Sequence, residues 1–174
     1  MSELNRIKIV LLGDFATGKT SICKKYTNDK FEEKYLTTIG MKVYKKDLSK
    51  KQIQLCIWDI ANDGMTNAIP IEYLKGTRAV LIIADLANRS SINNIPRHMD
   101  TALQIDENIK AAIVLNKTDL RPFSEDDSMT VKKIMQDYTS NWISEPFAIS
   151  VKCDESFDNV FMKIIESVTS EVNL

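Results

Sequence analysis

Histidine occurs once in this chain, cysteine three times and glycine five times, and no apolar run approaches the ~20 residues of a membrane span. Each scarcity excludes something. His98 has no nucleophile at a meaningful spacing, and its place on the polar part of a helix predicts a solvated surface residue. Cys23, Cys56 and Cys153 have neither metal-ligand spacing nor a disulfide count, which suits a reducing cytosol and predicts three small, buried apolar side chains. Lys and Arg number 23 against 24 Asp and Glu, a formal net charge of −1, so no global basic field draws nucleic acid. No signal peptide opens the chain, and Glu171-Val172-Asn173-Leu174 carries no prenylation cysteine. Membrane attachment would therefore require a lipidated tail outside these residues. No repeat, low-complexity tract or linker interrupts residues 1–174, which predicts a single domain; a monomer in the cytoplasm is the further expectation.

Gly13-Asp14-Phe15-Ala16-Thr17-Gly18-Lys19-Thr20 fits G-x-x-x-x-G-K-[ST], the phosphate-binding loop of nucleoside-triphosphate proteins. A glycine at each end lets the backbone curl so that the amides from Asp14 to Thr20 point inward at phosphate oxygens. Lys19 supplies a point charge to the β and γ oxygens, and the Thr20 hydroxyl can bind Mg²⁺. The helix that follows, over Thr20 to Asn28 and including the candidate binding residue Ser21, directs its positive end at the same phosphates. The flanks agree: Ile7 to Leu12 is an apolar run of buried-strand length, and Thr20 to Asn28 contains no Gly or Pro.

Residues 29–40 are polar and show no period, and could fold back over a nucleotide. Met41, Val43 and Tyr44, then Ile53, Leu55 and Ile57, predict a hairpin turning near Leu48-Ser49-Lys50-Lys51. The continuous runs Ala79–Ala84 and Ala111–Leu115 predict central strands covered on both faces. Ser90-Ser91 can cap a helix reaching about Asp106, with Pro96 delaying or kinking it. Glu125-Asp126-Asp127 is expected as a solvated loop. Val131, Ile134, Met135, Tyr138 and Trp142 mark a further helical stripe, Phe147–Ile149 a short strand, and Phe157 to Val168 the cleanest amphipathic helix. Alternating strands and helices predict an α/β fold, a doubly wound, mostly parallel six-stranded sheet with helices on both faces and ligands at the carboxyl ends of its strands.

Asn116-Lys117-Thr118-Asp119 follows directly on an apolar strand. A carboxylate there can accept from both N1–H and the exocyclic amine of guanine, a pattern that adenine does not offer. Asp59, ending the strand of Ile57 and Trp58, is placed either to reach Mg²⁺ through water or to cap a helix.

These motifs together resemble a Ras-superfamily small GTPase, most like the Rab branch, over Arg6 to about Thr169. The resemblance implies binding of GTP and GDP with Mg²⁺. Thr38-Ile39-Gly40 is similar to the first switch, implying that Thr38 closes on Mg²⁺ and the γ-phosphate. Tyr35 and Phe31 stand where the family keeps a γ-phosphate lid tyrosine and an aromatic against guanine. Ser150-Val151-Lys152 resembles the third guanine loop, whose backbone N–H groups reach the base oxygen. Val43, Trp58 and Tyr73 fall at the apolar triad through which Rab proteins meet effectors, or serve as ordinary packing. Exchange factors would also act through the switches. By analogy the setting is vesicle traffic, on the cytosolic face of membranes when a lipidated tail follows.

Three departures from the family pattern concern hydrolysis. The second switch of the family reads Asp-x-x-Gly-Gln; here it reads Asp59-Ile60-Ala61-Asn62-Asp63. Counting back from Tyr73-Leu74-Lys75-Gly76 without a gap puts Asp63 in the place of the water-orienting Gln and Asn62 in that of the Gly; a register using Gly64 needs an indel. Phe15 fills a position that the family keeps small. The expectation is nucleotide binding with slow GTP hydrolysis. A hydrolysis-dead scaffold held by its nucleotide is the alternative. A phosphate-loop kinase would want an arginine-rich lid, whereas Arg89, Arg97 and Arg121 are scattered.

Overall fold

The computed structural model describes residues 4–28, 41–60, 69–153 and 157–170 in full, and the backbone of 31–35. Seven strands form one sheet: β1 (Asn5–Leu12), β2 (Phe31–Tyr35), β3 (Met41–Leu48), β4 (Ile53–Ile60), β5 (Ala79–Asp85), β6 (Lys110–Asn116) and β7 (Phe147–Ala148). Their order across the sheet is β2-β3-β4-β1-β5-β6-β7. Pairings from β4 to β7 are parallel, while β2–β3 and β3–β4 are antiparallel. The doubly wound, mostly parallel architecture is as expected, with one strand more than the predicted six. β2 adds to the sheet edge and reads Phe-Glu-Glu-Lys-Tyr, without alternation, so periodicity gives no sign of it.

The helices are α1 (Lys19–Thr27), α2 (Ile71–Leu74), α3 (Arg89–Asn93), α4 (Ile95–Leu103), α5 (Glu125–Gln136) and α6 (Asp158–Ser170). Side chains alternate across the sheet. From β1 and β5, Ile7, Ile9, Leu11, Leu81 and Ile83 pack with Ile22 and Tyr26 of α1 and Phe161, Ile164 and Ile165 of α6. Val10, Leu12, Val80, Ile82 and Ala84 face the other way, onto Ile92, Ile95, Met99, Ala102 and Val131. Both faces are therefore apolar, which is why these strands read as unbroken hydrophobic runs. Tyr26 stacks on Phe161 at 3.8 Å between ring centres, fixing α1 against α6.

Several local expectations need correction. The helix predicted from Ser90-Ser91 is two helices, and its cap is Asn88, whose side chain accepts from Ser90 N. The Ser91 hydroxyl instead donates to main-chain oxygens of Asp85 and Asn88. The expected delay at Pro96 is seen: the second helix starts only at Ile95, with the proline in its first turn, where its missing N–H costs nothing. Glu125-Asp126-Asp127 is the first turn of α5, with Asp127 fully buried in a capping box with Ser124. α5 ends at Gln136, and Trp142 returns to the core as a bridge partner of Ala111. Only Cys23 is buried; Cys56 is half-buried and Cys153 exposed. His98 is not a solvated residue but 8% exposed.

Candidate functional site

Parallel register brings the carboxyl ends of the central strands to one edge. Asp59 lies beside Leu11 in the β1–β4 pair, and Asp85 beside Asn116 in the β5–β6 pair. The loop after β1 emerges there and turns into α1. Two glycines make the turn possible. A Cβ on Gly13 would stand 2.2 Å from the Ile83 carbonyl oxygen, and one on Gly18 2.3 Å from Asn116 Nδ2. Ala16 also takes a left-handed conformation, φ 61°.

A cleft of about 600 Å³ opens at this edge. Phe15, Ala16, Gly18, Lys19, Thr20 and Ser21 line it from the loop and α1, and Asp59 from β4. Asn116, Lys117, Asp119, Val151 and Lys152 close the far end, together with Leu120. Asp14, Thr17 and Ser150 are behind the wall. Thr17 is buried, its hydroxyl donating to Asp14 O. The side chains of Phe31 and Tyr35, and all of Thr38, Asn62 and Asp63, lie outside the described residues.

At the phosphate end, Lys19 Nζ donates to the main-chain oxygens of Gly13 and Asp14, at 2.8 and 2.7 Å. An ammonium has three donors, so one remains for a phosphate oxygen. Burial lowers the Lys19 pKa, opposed by the carboxylates of Asp59 and Asp14. The Thr20 hydroxyl donates to Asp59 Oδ2 at 2.5 Å. Burial raises the Asp59 pKa, opposed by that hydrogen bond and by Lys19. A hydroxyl and a carboxylate converging beside a phosphate loop are hard oxygen donors of the kind Mg²⁺ takes. Among the described residues no group of three or more His, Cys, Asp or Glu could hold a metal.

The base end is tied by side chains. Asn116 Nδ2 donates to Thr17 O at 2.9 Å, while its Oδ1 accepts from Val151 N at 3.0 Å. One amide thus joins the phosphate loop, β6 and the loop after β7. Ser150 donates to Asp119 Oδ1 at 2.6 Å, and this hydrogen bond lowers the Asp119 pKa, keeping it an acceptor. Lys117 adopts φ 69° and pairs with Asp85 at 2.6 Å. Arg121 donates to Leu86 O and, through two nitrogens, to Asp127, whose pKa falls to about 2 chiefly through that pairing.

Asp85, Leu120, Asn94 and His98 escape sequence reasoning. Asp85 could be found from its position at the carboxyl end of a central strand. Leu120, an exposed apolar residue directly after Asp119, carries a weaker signal. For Asn94 and His98 no sequence signal links them to the loop.

On the interswitch face, Val43 and Trp58 are directly paired across β3 and β4. Lys8 Nζ lies 3.6 Å from the Trp58 ring centre and donates to Tyr73 O at 2.7 Å, so one ammonium bridges two of the three aromatic and apolar positions. Burial lowers its pKa to about 8.

A family model described as the Ras family matches residues 8–170. The Ras-related protein RABE1d of Arabidopsis thaliana is 30% identical over 165 residues, covering 93% of this chain and 75% of the relative. The Ras-related protein Rab-11B of Dictyostelium discoideum is 29% identical over 164 residues, covering 92% and 74%. The GTP-binding protein yptV2 of Volvox carteri is 32% identical over 117 residues, covering 66% and 54%.

Proposed function

The chain belongs to the Ras family, whose members are GTP-binding, GTP-hydrolysing switches, and we propose that this one holds GTP or GDP firmly while turning GTP over very slowly. The observation that carries the binding half is the single cleft in which Lys19, the Thr20–Asp59 pair and the Ser150-braced Asp119 face one another. Loop amides and Lys19 would take the phosphates, and Asp119 would select guanine. Thr20, Asp59 and Thr38 would hold Mg²⁺, which when bound neutralises charge between the β- and γ-phosphates. Phe31, Tyr35 and the Ser150–Lys152 loop would complete the enclosure.

The hydrolytic half rests on Phe15, Asn62 and Asp63. A water-orienting Gln is donor and acceptor at once. Asp63 lacks the amide donor, is shorter by a methylene and, in the place of that Gln, would bring negative charge beside a triphosphate. Asn62 can still offer its N–H to the γ-phosphate with less conformational freedom than glycine. The Phe15 ring is 73% exposed at the cleft mouth, where a partner's arginine would enter; losing such a finger forfeits on the order of 10³–10⁵ in rate. Effectors and exchange factors would read the switches, with the half-buried Trp58 and Tyr73 as docking positions, while Val43, 4% exposed, serves as packing beneath them. Residues 1–174 form one monomeric G domain, working in vesicle traffic by likeness to the Rab proteins.

Single-turnover hydrolysis by GTP-loaded protein tests this. We expect a rate far below that of a Phe15→Gly, Asp63→Gln double variant, with Asp63→Gln alone restoring little. A wild-type rate equal to the double variant's would refute the slow-hydrolysis reading. Partner capture that ignores whether GTP or GDP is loaded would instead support a nucleotide-stabilised scaffold.

A further inference from the structure

The Asp14 side chain plays no part in lining the cleft. It is gripped at the start of α4: Asn94, the residue that caps the helix, donates from Nδ2 to Oδ2 at 2.8 Å, and His98 Nε2, one turn on, lies 2.9 Å from Oδ1. An ionised carboxylate only accepts, so the proton of this contact resides on Nε2. Asn94 and His98 are four residues apart and therefore on one face of the helix. Ile95, Met99 and Ala102 fix that helix in the apolar layer under β5. The charged groups acting on His98 are Asp14, Lys19 and Arg97; burial lowers its pKa and the Asp14 carboxylate opposes that.

Asp14 is thus held from two sides. Its carboxylate is anchored to α4, while its main-chain oxygen accepts from Lys19 Nζ and the Thr17 hydroxyl. The first grip does two things. It immobilises the outer bend of the loop whose amides face the cleft. It also keeps a negative charge turned away from the position of a polyphosphate, which that charge would repel.

We propose that Asn94 and His98 are positioning residues that lock the phosphate loop through Asp14 and thereby slow release of a bound nucleoside diphosphate. The effect on release rests on the nucleotide reading above; the lock itself does not. The test uses His98→Leu, which keeps bulk without a donor, His98→Gln, which restores one, and Asn94→Ala. Two readouts are taken: amide hydrogen exchange of residues 14–18 without nucleotide, and dissociation of fluorescent GDP.

We expect His98→Leu to lose protection at residues 14–18 and to release GDP roughly tenfold faster, equivalent to about 1.4 kcal/mol. His98→Gln should recover most of both. Asn94→Ala should act in the same direction, and in an Asp14→Ala background, where no side-chain acceptor remains, His98→Leu should add little. Wild-type protection and release in His98→Leu would overturn the proposal. Equal losses in the Leu and Gln variants would also overturn it, since packing alone would then account for them. If the wild-type protein bound no guanine nucleotide, the nucleotide reading would fall and hydrogen exchange alone would decide the lock.

Discussion

The two ends of the cleft are held by different means. At the base end, side chain meets side chain: Ser150 with Asp119, Lys117 with Asp85, and Arg121 with Asp127. At the phosphate end the backbone itself is the binding surface, and its shape comes from glycine geometry, from Lys19 folded onto carbonyls, and from Asp14 clamped to α4. The difference teaches where each end is vulnerable. A base pocket built from side chains loses selectivity when one of them changes, while the fold survives. A phosphate loop built from backbone tolerates little added bulk.

The largest effect should come from Gly13→Ala. Its methyl would meet a main-chain oxygen that cannot swing aside, and the residue holds φ 147°. We expect a loss of about 3 kcal/mol of stability, read by urea denaturation. Asp119→Asn probes the other end. It should leave the melting curve almost unchanged while weakening GTP binding roughly 100-fold, because an amide donor would confront the donors of guanine. Calorimetry with GTP and ATP measures the selectivity; an unaltered GTP preference would remove Asp119 from its role.

Smaller effects sharpen the contrast. Asp127→Asn should cost about 1–2 kcal/mol by weakening the capping box and the Arg121 pairing. Because the folded Asp127 pKa is depressed from 3.8 to about 2, its contribution is fully present above pH 3.8 and is lost as pH falls through 2. Melting curves across that window should show a shallower acid decline in the variant. Ala16→Gly should be slightly stabilising, by at most about 1 kcal/mol, since a left-handed alanine is strained. A melting temperature raised by about 2–4 °C would agree.

The phosphate-loop motif, the Asn116-Lys117-Thr118-Asp119 tetrapeptide and six of the strands are legible in the sequence because each is a local pattern: a spacing, a period or an apolar run. What resists such reading is instructive. β2 has no alternation. The acidic run 125–127 looks solvated until Ser124 and Arg121 are seen to enclose Asp127. His98 looks like surface because Arg97, Asp100 and Thr101 lie around it in the sequence, yet its ring faces Asp14.

The chain's sequence by itself determined that the phosphate-loop motif and the Asn116–Asp119 motif are separate loops, since each is a contiguous pattern that needs only near neighbours. Only the tertiary structure decided how those loops are braced. The bracing contacts join residues up to 99 positions apart, as in Asn116 to Thr17. Such pairings follow from strand order and helix packing, which bring distant side chains within hydrogen-bond reach, and no local pattern encodes that distance.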